Sequence, residues 1–415
     1  MSTKPRLSMW QKILIALVLG SLAGIVFGEK AAILAPIGKL FMNAISMIVL
    51  PLVLVSIVCS VMSVSDISTM RRVTIKTLII YLVTMTAAAC VGIAVASIIQ
   101  PGMGLPKELV ETTLQGNMSL ANSIAASKGT SLGDAIASII PSNIFRALSN
   151  GEMLPTIIFA LLIGLTIITV GKPGKLVGEF FQSAMSLMFK AVDFILIFTP
   201  IGVFCLIAQV VGTLGMGILK ELSMLIIAVW IGCIASALLI YVPMLLANRL
   251  SPLMFFKKMM APMAFAFSTT SSAATLPINL ETVHQRLGVS SQITDFVLPL
   301  GCTLNMNGAA VYLSVSALFV ANIYGIDLNL WQYLLVILGS ILGAIGAAGV
   351  PMVAIFMMTI VLSTVGLPLE AIALIVGVDR VIDVMPTTLN ITGDAFAAVL
   401  VGKSEGELDQ KIYNQ

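Results

Sequence analysis

The chain of 415 residues is 59% hydrophobic and only 10% charged, with a formal net charge of +3 and a mean hydropathy of +1.08. A soluble protein of this length carries far more charge on its surface, so the composition excludes a soluble globular fold. The small net charge gives no reason to expect a nucleic-acid partner. The sequence instead predicts an all-α protein that crosses a lipid bilayer several times.

Six apolar segments precede residue 250, and each is long enough to cross a bilayer, which takes about 20 apolar residues. We place them at roughly 10–28, 40–65, 77–100, 153–171, 180–218 and 222–248. The first segment has the length of a signal peptide, but because many spans follow it we interpret it as a retained helix. The fifth carries Lys190 and Asp193 and is therefore long and partly polar.

Positive charges fall on alternate connections between these segments. Basic residues precede the first span and follow the second, fourth and sixth spans. Cytoplasmic loops carry an excess of Lys and Arg, so this pattern predicts a cytoplasmic N-terminus. It also makes the polar stretch from Pro101 to about Thr130 an external loop. The expected location is a plasma membrane, or the inner membrane of a Gram-negative bacterium.

The segment after Arg249 does not read as a simple span. Met259 to Leu280 lacks charged residues but carries a run of polar side chains from Ser268 to Thr275. Irregular backbone at membrane depth is tolerated only where protein or a water-filled cavity covers it. We therefore predict a re-entrant helical hairpin over about 255–288, with its tip at the Ser/Thr run.

A second interrupted segment extends from Leu328 to Leu369, about twice the length of a span. Its middle, Gly343 to Pro351, is rich in Gly and Ala and ends in a proline. This pattern predicts a second hairpin over about 328–369, whose backbone can approach a ligand closely. Two interrupted segments in corresponding positions are typical of a transporter binding site between inverted repeats. The alternative is that the small residues only allow close helix packing.

The last apolar segment, Ala371 to Gly402, contains ionisable residues, which cost several kcal/mol at membrane depth. Within roughly 80° on one helix face it carries Asp379, Asp383, Pro386, Asn390 and Asp394. Three carboxylates and an amide on one face suit cations or an ammonium group. The alternative is a buried ion-pair network with Arg380, although one arginine cannot neutralise three carboxylates.

The seventh span contains Asn305, Met306 and Asn307 between Gly301 and Ala310. Two asparagines with glycines nearby predict an unwound turn that exposes backbone and side-chain oxygens. Such oxygens suit a hard cation. Together with Asn390 and Asp394 they predict a sodium site.

These motifs resemble the glutamate transporter family, the dicarboxylate/amino acid:cation symporters, over nearly the whole chain. The most specific matches are the Ser-Ser-x-x-Thr-Leu-Pro tip, the Asn-Met-x-Gly turn, Gly349-Val350-Pro351 and Asp379-x3-Asp383-x6-Asn390-x2-Gly393-Asp394. The resemblance implies an elevator-type transporter with eight transmembrane helices, two re-entrant hairpins and inverted repeats, assembled as a homotrimer. It assigns residues 1–250 mainly to a scaffold and 251–415 to the transport-domain core, with the third and sixth spans moving with that core.

The resemblance also implies the roles of single residues. Asp383 would hold a substrate ammonium group, and Asn390 and Ser272 its α-carboxylate. The implied substrate site comprises Ser271, Ser272, Ala309, Val350, Asp383, Pro386, Thr387 and Asn390. One implied sodium site comprises Gly301, Asn305, Asn390 and Asp394. The second comprises Thr303, Met306 and the backbone carbonyls of Ala344, Ile345 and Ala347.

A third cation site of sodium-driven family members is altered in this chain. Tyr81, Thr84 and Asn305 match it, but Met85 occupies a serine position and Asn307 an acidic position. An amide lacks the charge that makes such a site favourable. We therefore expect about two sodium ions, or a proton in place of the third, and no prosthetic group.

The side-chain pocket departs from that of the acidic-substrate members of the family. They carry an arginine at the position of Pro386 and a threonine at the position of Ala309, and both contact the distal carboxylate. Without them the pocket lacks a bidentate, charge-assisted hydrogen bond and one further hydrogen bond to that carboxylate. The sequence therefore predicts symport or exchange of a small neutral amino acid. Arg380, one turn before Asp383, keeps an acidic amino acid or dicarboxylate as the alternative.

Other classes of membrane protein fit less well. Aspartyl catalysis needs two carboxylates that face each other across the scissile bond, whereas Asp379 and Asp383 lie on successive turns of one helix. His284 is the only histidine, and it lies in a charged loop outside the spans. The sequence therefore predicts no enzyme. Hairpin tips also line some channels, and saturable counterflow distinguishes a carrier from a channel.

Overall fold

The structure is a computed structural model that describes residues 9–62, 67–104, 140–150, 153–215, 217–347 and 353–415. These described ranges are helical, with no β-strand and one isolated bridge between Val289 and Leu408. Most of the expected external loop, and Val350 at the second hairpin tip, lie outside them. The all-α prediction therefore holds for the described residues.

Nine α-helices from the first part of the chain are described, together with a 3₁₀ helix at Gly28–Leu34 and a π-helix at Ala237–Tyr241. They are α1 Met9–Phe27, α2 Ala35–Met62, α3 Ile67–Ile99, α4 Ile144–Asn150, α5 Met153–Val170, α6 Lys172–Leu196, α7 Thr199–Leu214, α8 Gly217–Ser236 and α9 Val242–Ala247. Helix α1 packs against α7, and α2 packs against α5 and α6, whereas α3 and α8 pack against each other and against a later helix.

The fifth predicted span, 180–218, was wrong as a single element. It forms α6 and α7, which are separated at Ile197 and Phe198. Proline fits the first turn of a helix, whereas in the interior it removes a hydrogen bond, and Pro200 follows Thr199 at the start of α7. The apolar composition continues across this break, which is why hydropathy alone did not show it.

Ten described α-helices form the last part of the chain, together with a π-helix at Thr282–Arg286 and a 3₁₀ helix at Leu369–Ala371. They are α10 Pro252–Thr269, α11 Ser272–Glu281, α12 Ser291–Leu304, α13 Asn307–Ile323, α14 Leu330–Gly346, α15 Val353–Thr364, α16 Ile372–Val376, α17 Asp379–Ile382, α18 Val384–Glu405 and α19 Gln410–Asn414. Helix α18 contacts α10, α11, α12 and α13 and lies at the centre of this part.

Five of the described helical segments are long and apolar enough to cross a membrane, as far as length and composition decide. They differ in how deeply the protein buries them. In their most apolar windows, Ser291–Ile323 is 94% buried and Asp379–Glu405 is 89% buried, whereas Arg72–Ile99 is 33% buried. The two segments that carry the polar motifs are therefore enclosed by other helices.

The first predicted hairpin consists of α10 and α11, which contact each other. Between them Thr270 adopts a left-handed conformation with φ 49°, and the Ser271 side chain accepts a hydrogen bond from the Ala274 amide at 3.2 Å. This side-chain cap satisfies one of the amides that a helix N-terminus leaves unpaired. In the second predicted hairpin, α14 and α15 contact each other and residues 348–352 between them lie outside the described ranges.

Candidate functional site

Two interrupted helices meet at the centre of the last part of the chain. The helix of the seventh segment ends at Leu304 and starts again at Asn307, so the predicted unwound turn at Asn305 and Met306 is confirmed. The hydrogen-bond pattern of the eighth segment is interrupted at Asp383, between α17 and α18, because Pro386 has no N–H to donate to the Ile382 carbonyl, while the backbone of Asp383 stays helical. Helix breaks leave backbone groups without intrahelical partners, and such groups can serve a ligand.

The first turn of α13 lies directly against α18. The Gly308 amide donates to Oδ1 of Asn390 at 2.7 Å. A Cβ atom at Gly308 would lie 2.0 Å from the Pro386 carbonyl oxygen, so only glycine permits this approach. The contact brings Ala309, Pro386 and Asn390, three members of the implied substrate site, close together.

Asp383 occupies the break between α17 and α18 and is 9% exposed. The neighbours that act on its carboxylate are Asp379, Arg380 and the Thr387 hydroxyl. Thr387 is buried on the first turns of α18. Two nearly buried carboxylates therefore share the neighbourhood of one guanidinium group.

Arg380 connects this site to the first hairpin. Its guanidinium Nη2 donates to the backbone carbonyl of Thr269 at 3.1 Å, at the end of α10. Ser271 and the buried Ser272 follow within three residues, so the implied tip residues lie near α17. The ion pairs found in the described ranges are those of Arg72 and Lys76 with Glu405, and Arg380 is in none.

A cluster of oxygen atoms surrounds Asp394. The Asn305 side-chain amide donates to Oδ1 of Asp394 at 3.0 Å. A Cβ at Gly301 would meet Asp394 Oδ1 at 2.5 Å and the Tyr81 hydroxyl at 2.6 Å. Oδ1 of Asn305 is buried and has no hydrogen-bond partner within the described part of the chain. A carboxylate beside an unpaired amide oxygen fits a hard cation such as sodium.

The altered third site adjoins this cluster. The Tyr81 hydroxyl donates to the Val297 carbonyl at 2.7 Å, and Thr84 donates to the Ile80 carbonyl of its own helix at 2.8 Å. Met85 is buried. The Asn307 amide donates to the Tyr241 hydroxyl at 2.7 Å, while its Oδ1 is unpaired as far as the described ranges extend.

The residues of the second implied sodium site lie on two elements that contact each other. Met306 is buried at the start of α13, and Thr303 near the end of α12 donates to the Leu300 carbonyl at 3.0 Å. Ala344 and Ile345 lie in the last turn of α14, where the Ala347 amide donates to the Ala344 carbonyl at 3.1 Å. Helices α12 and α14 are in contact.

Sequence reasoning missed two tyrosines of the site. Tyr241 accepts the hydrogen bond from Asn307 and stacks on Phe396 with ring centroids 4.5 Å apart. Tyr312 donates to Oδ1 of Asp379 at 2.8 Å. Both are fully buried, and a buried tyrosine hydroxyl usually has a polar partner. That rule marks them as candidates, but their partners are distant in sequence.

The family model for the sodium:dicarboxylate symporter family matches residues 9–404. A proton/sodium-glutamate symport protein of Bacillus caldotenax is 35% identical over 411 residues, which is 97% of this chain and 95% of that protein. A proton/glutamate-aspartate symporter of Escherichia coli K12 is 34% identical, with 97% and 94% covered. A C4-dicarboxylate transport protein of Bacillus subtilis is 29% identical, with 96% and 94% covered.

Proposed function

Because the chain belongs to the sodium:dicarboxylate symporter family, we propose that it transports an acidic amino acid together with cations. It is a multi-pass membrane symporter and not an enzyme. The relatives are named for glutamate, aspartate and C4-dicarboxylates. These names favour the acidic alternative over the small neutral amino acid that Ala309 and Pro386 predict.

The observation that carries this proposal is the position of Arg380. Its half-buried guanidinium lies at the first hairpin, beside Asp379 and Asp383. At 100° per residue, Arg380 projects about 60° away from Asp383, and residues three apart are neighbours on a helix surface. Asp383 keeps a right-handed helical backbone, with φ −66° and ψ −13°, so the helical spacing holds there, and the long side chain of Arg380 reaches from this position to the Thr269 carbonyl of the first hairpin. Arg380 can therefore provide the cation that Pro386 lacks.

Asp383 favours an amino acid over a plain dicarboxylate. An ionised carboxylate in a nearly dry site attracts an ammonium group and repels a second anion. The substrate ammonium would bind Asp383, and Asn390 and Ser272 would bind the α-carboxylate. The distal carboxylate would bind Arg380 through a charge-assisted fork.

The cluster around Asp394 supports sodium coupling. Asp394 offers one negative charge, and the side-chain oxygens of Asn305 and Asn307, which have no partner among the described residues, offer two neutral oxygen ligands. Because Asn307 lacks a charge, we propose fewer than three sodium ions per substrate. Asn390 would serve both sodium and substrate, so each would strengthen binding of the other by the same factor.

The packing supports two bodies that move relative to each other. Helices α3 and α8 pack against α13, and Arg72 and Lys76 of α3 form ion pairs with Glu405 of α18. Helices α1, α2, α5, α6 and α7 pack mainly with one another, and a few contacts join them to the other body, such as those of α2 with α14 and α15 and of α7 with α16. This division fits an elevator motion of α3, α8 and residues 251–415 against a scaffold. A cytoplasmic N-terminus and a homotrimer are part of the same proposal.

Uptake by the purified protein in liposomes tests the substrate class. With an inward sodium gradient we expect uptake of radiolabelled aspartate or glutamate above that of empty liposomes, and loss of uptake in Asp383→Ala. Excess unlabelled serine or succinate should not compete. Uptake of serine or alanine with aspartate and glutamate at background would contradict the proposal, as would a preference for succinate. A measured stoichiometry of three sodium ions per substrate molecule would contradict the proposal that fewer than three are transported.

A further inference from the structure

Asp379 is a buried carboxylate that the proposed transport mechanism does not use. It is 0% exposed and begins the short helix α17. Its Oδ1 accepts a hydrogen bond from the Tyr312 hydroxyl at 2.8 Å. Its Oδ2 is also buried and has no hydrogen-bond partner in the residues that the structure describes. One half of this carboxyl group is therefore unsatisfied.

An ionised carboxylate in such a place is costly. Charges at membrane depth persist where a counter-charge or several hydrogen bonds compensate for the lost water. Tyr312 supplies one neutral donor, and the guanidinium of the adjacent Arg380 instead donates to the Thr269 carbonyl at 3.1 Å. A proton on Oδ2 removes the charge and most of the cost of burial.

The bound substrate decides which of the two carboxyl groups carries this proton. Tyr312 faces Asp379 from α13, Asp383 from the start of α18 and Arg380 from α17 itself. Cys233 of α8 lies near Asp383, and α16 offers the apolar residues Ile372–Val376. Asp383 must stay ionised to hold the substrate ammonium, and one arginine cannot serve two carboxylates and a substrate. Asp379 is therefore the group left to be neutralised by a proton.

We propose that Asp379 is a proton-binding site and that one proton travels with each substrate molecule. Water on the outside supplies the proton, which forms an O–H bond at Oδ2, and the proton returns to water on the inside. While substrate is bound, its distal carboxylate engages Arg380, and Asp379 requires the proton. After the substrate leaves, its distal carboxylate no longer compensates the positive charge of Arg380, which then favours the ionised form of the neighbouring Asp379, and the proton dissociates. The inference rests on the proposed acidic substrate.

The test separates the proton gradient from every other driving force. Proteoliposomes are prepared with the same sodium concentration on both sides. Valinomycin and equal potassium concentrations hold the membrane potential at zero, and the interior is one pH unit more alkaline than the outside. The wild-type protein should then accumulate labelled aspartate to an inside-to-outside concentration ratio of up to about tenfold, because one pH unit is a tenfold proton gradient. Asp379→Asn, which resembles the protonated side chain, should not accumulate aspartate. It should still respond to a sodium gradient. Asp295→Asn, at an exposed position of α12, should behave as wild type.

The possible failures are distinguishable. Accumulation by Asp379→Asn in the pH gradient, or wild type that responds to sodium but not to pH, overturns the proton site and leaves the proposed function intact. No aspartate uptake under any gradient contradicts the proposed function itself.

A second variant covers the case in which Asp379→Asn does not fold. Tyr312→Phe removes the hydroxyl that favours the ionised carboxylate, so the pH of half-maximal uptake should rise by about one unit. An unchanged pH profile in folded Tyr312→Phe protein overturns the inference.

Discussion

At the scale of single residues, the charges around Arg380 determine which substrates the site can hold. Asp379 and Asp383 both lie beside its guanidinium, and Pro386 offers no donor to a substrate carboxylate. A distal carboxylate that enters a dry site without a cation loses its hydration without compensation. The proposed acidic substrate therefore depends on Arg380 more than on any other side chain of the site.

Arg380→Gln should reduce the apparent affinity for aspartate by about 10- to 100-fold, because a charge-assisted hydrogen bond contributes about 1.5–3 kcal/mol. Competition by serine against residual uptake should improve relative to wild type. Arg380→Lys should recover part of the loss, since it keeps the charge but not the planar fork. Concentration-dependent uptake in liposomes measures both effects. Arg286→Gln, at an exposed position, is the control, and an unchanged aspartate affinity in Arg380→Gln contradicts the role of Arg380.

At the scale of elements, the sequence predicted breaks where the local chemistry disfavours helix. The turn at Asn305 and Met306 and the hairpin connection at Thr270 lie where polar or flexible residues interrupt apolar runs. The partners of Tyr241 and Tyr312 were not predictable, because Asn307 and Asp379 lie 66 and 67 residues away. The interrupted hydrogen bonding at Asp383 follows from the sequence, because Pro386 has no N–H to donate to the Ile382 carbonyl, and the backbone of Asp383 stays helical.

The contact between α13 and α18 is the element-scale feature most sensitive to a single atom. In Gly308→Ala the added Cβ would lie 2.0 Å from the Pro386 carbonyl oxygen and 2.4 Å from the Pro386 Cα. The helices must separate, which breaks the Gly308–Asn390 hydrogen bond. Overpacking of this kind typically costs about 1–3 kcal/mol.

We expect Gly308→Ala to lower the melting temperature of the purified protein and to lose the stabilisation that sodium and aspartate give to wild type. Thermal unfolding with and without both ligands measures this. Gly339→Ala is the matched control, because its Cβ meets the nearest atom, the Val361 Cα, at 3.3 Å. Ligand stabilisation that persists in Gly308→Ala would show that the α13–α18 approach is not needed for binding.

At the scale of the whole molecule, the second hairpin segment touches the helices assigned to the scaffold. The Ser56 hydroxyl of α2 donates to the Gly346 carbonyl of α14 at 3.0 Å. A Cβ placed at Gly346 would lie 3.5 Å from the Ser56 hydroxyl oxygen. The Ser56 Cβ is one bond from that oxygen, so the two Cβ atoms lie close to the separation of about 3.5–4.5 Å that is usual in a disulfide.

A disulfide between Ser56→Cys and Gly346→Cys, in a background without the native cysteines, should arrest transport, because an elevator motion needs α14 to slide past α2. Reduction should restore aspartate uptake in liposomes. The control joins Gly339→Cys to Val361→Cys, where the glycine's Cβ would lie 3.7 Å from that of the valine. Both control positions belong to the proposed moving body, so this crosslink should leave uptake intact. Full uptake with the α2–α14 disulfide formed would mean that the two bodies do not move apart at this contact, and the elevator motion would have to be abandoned.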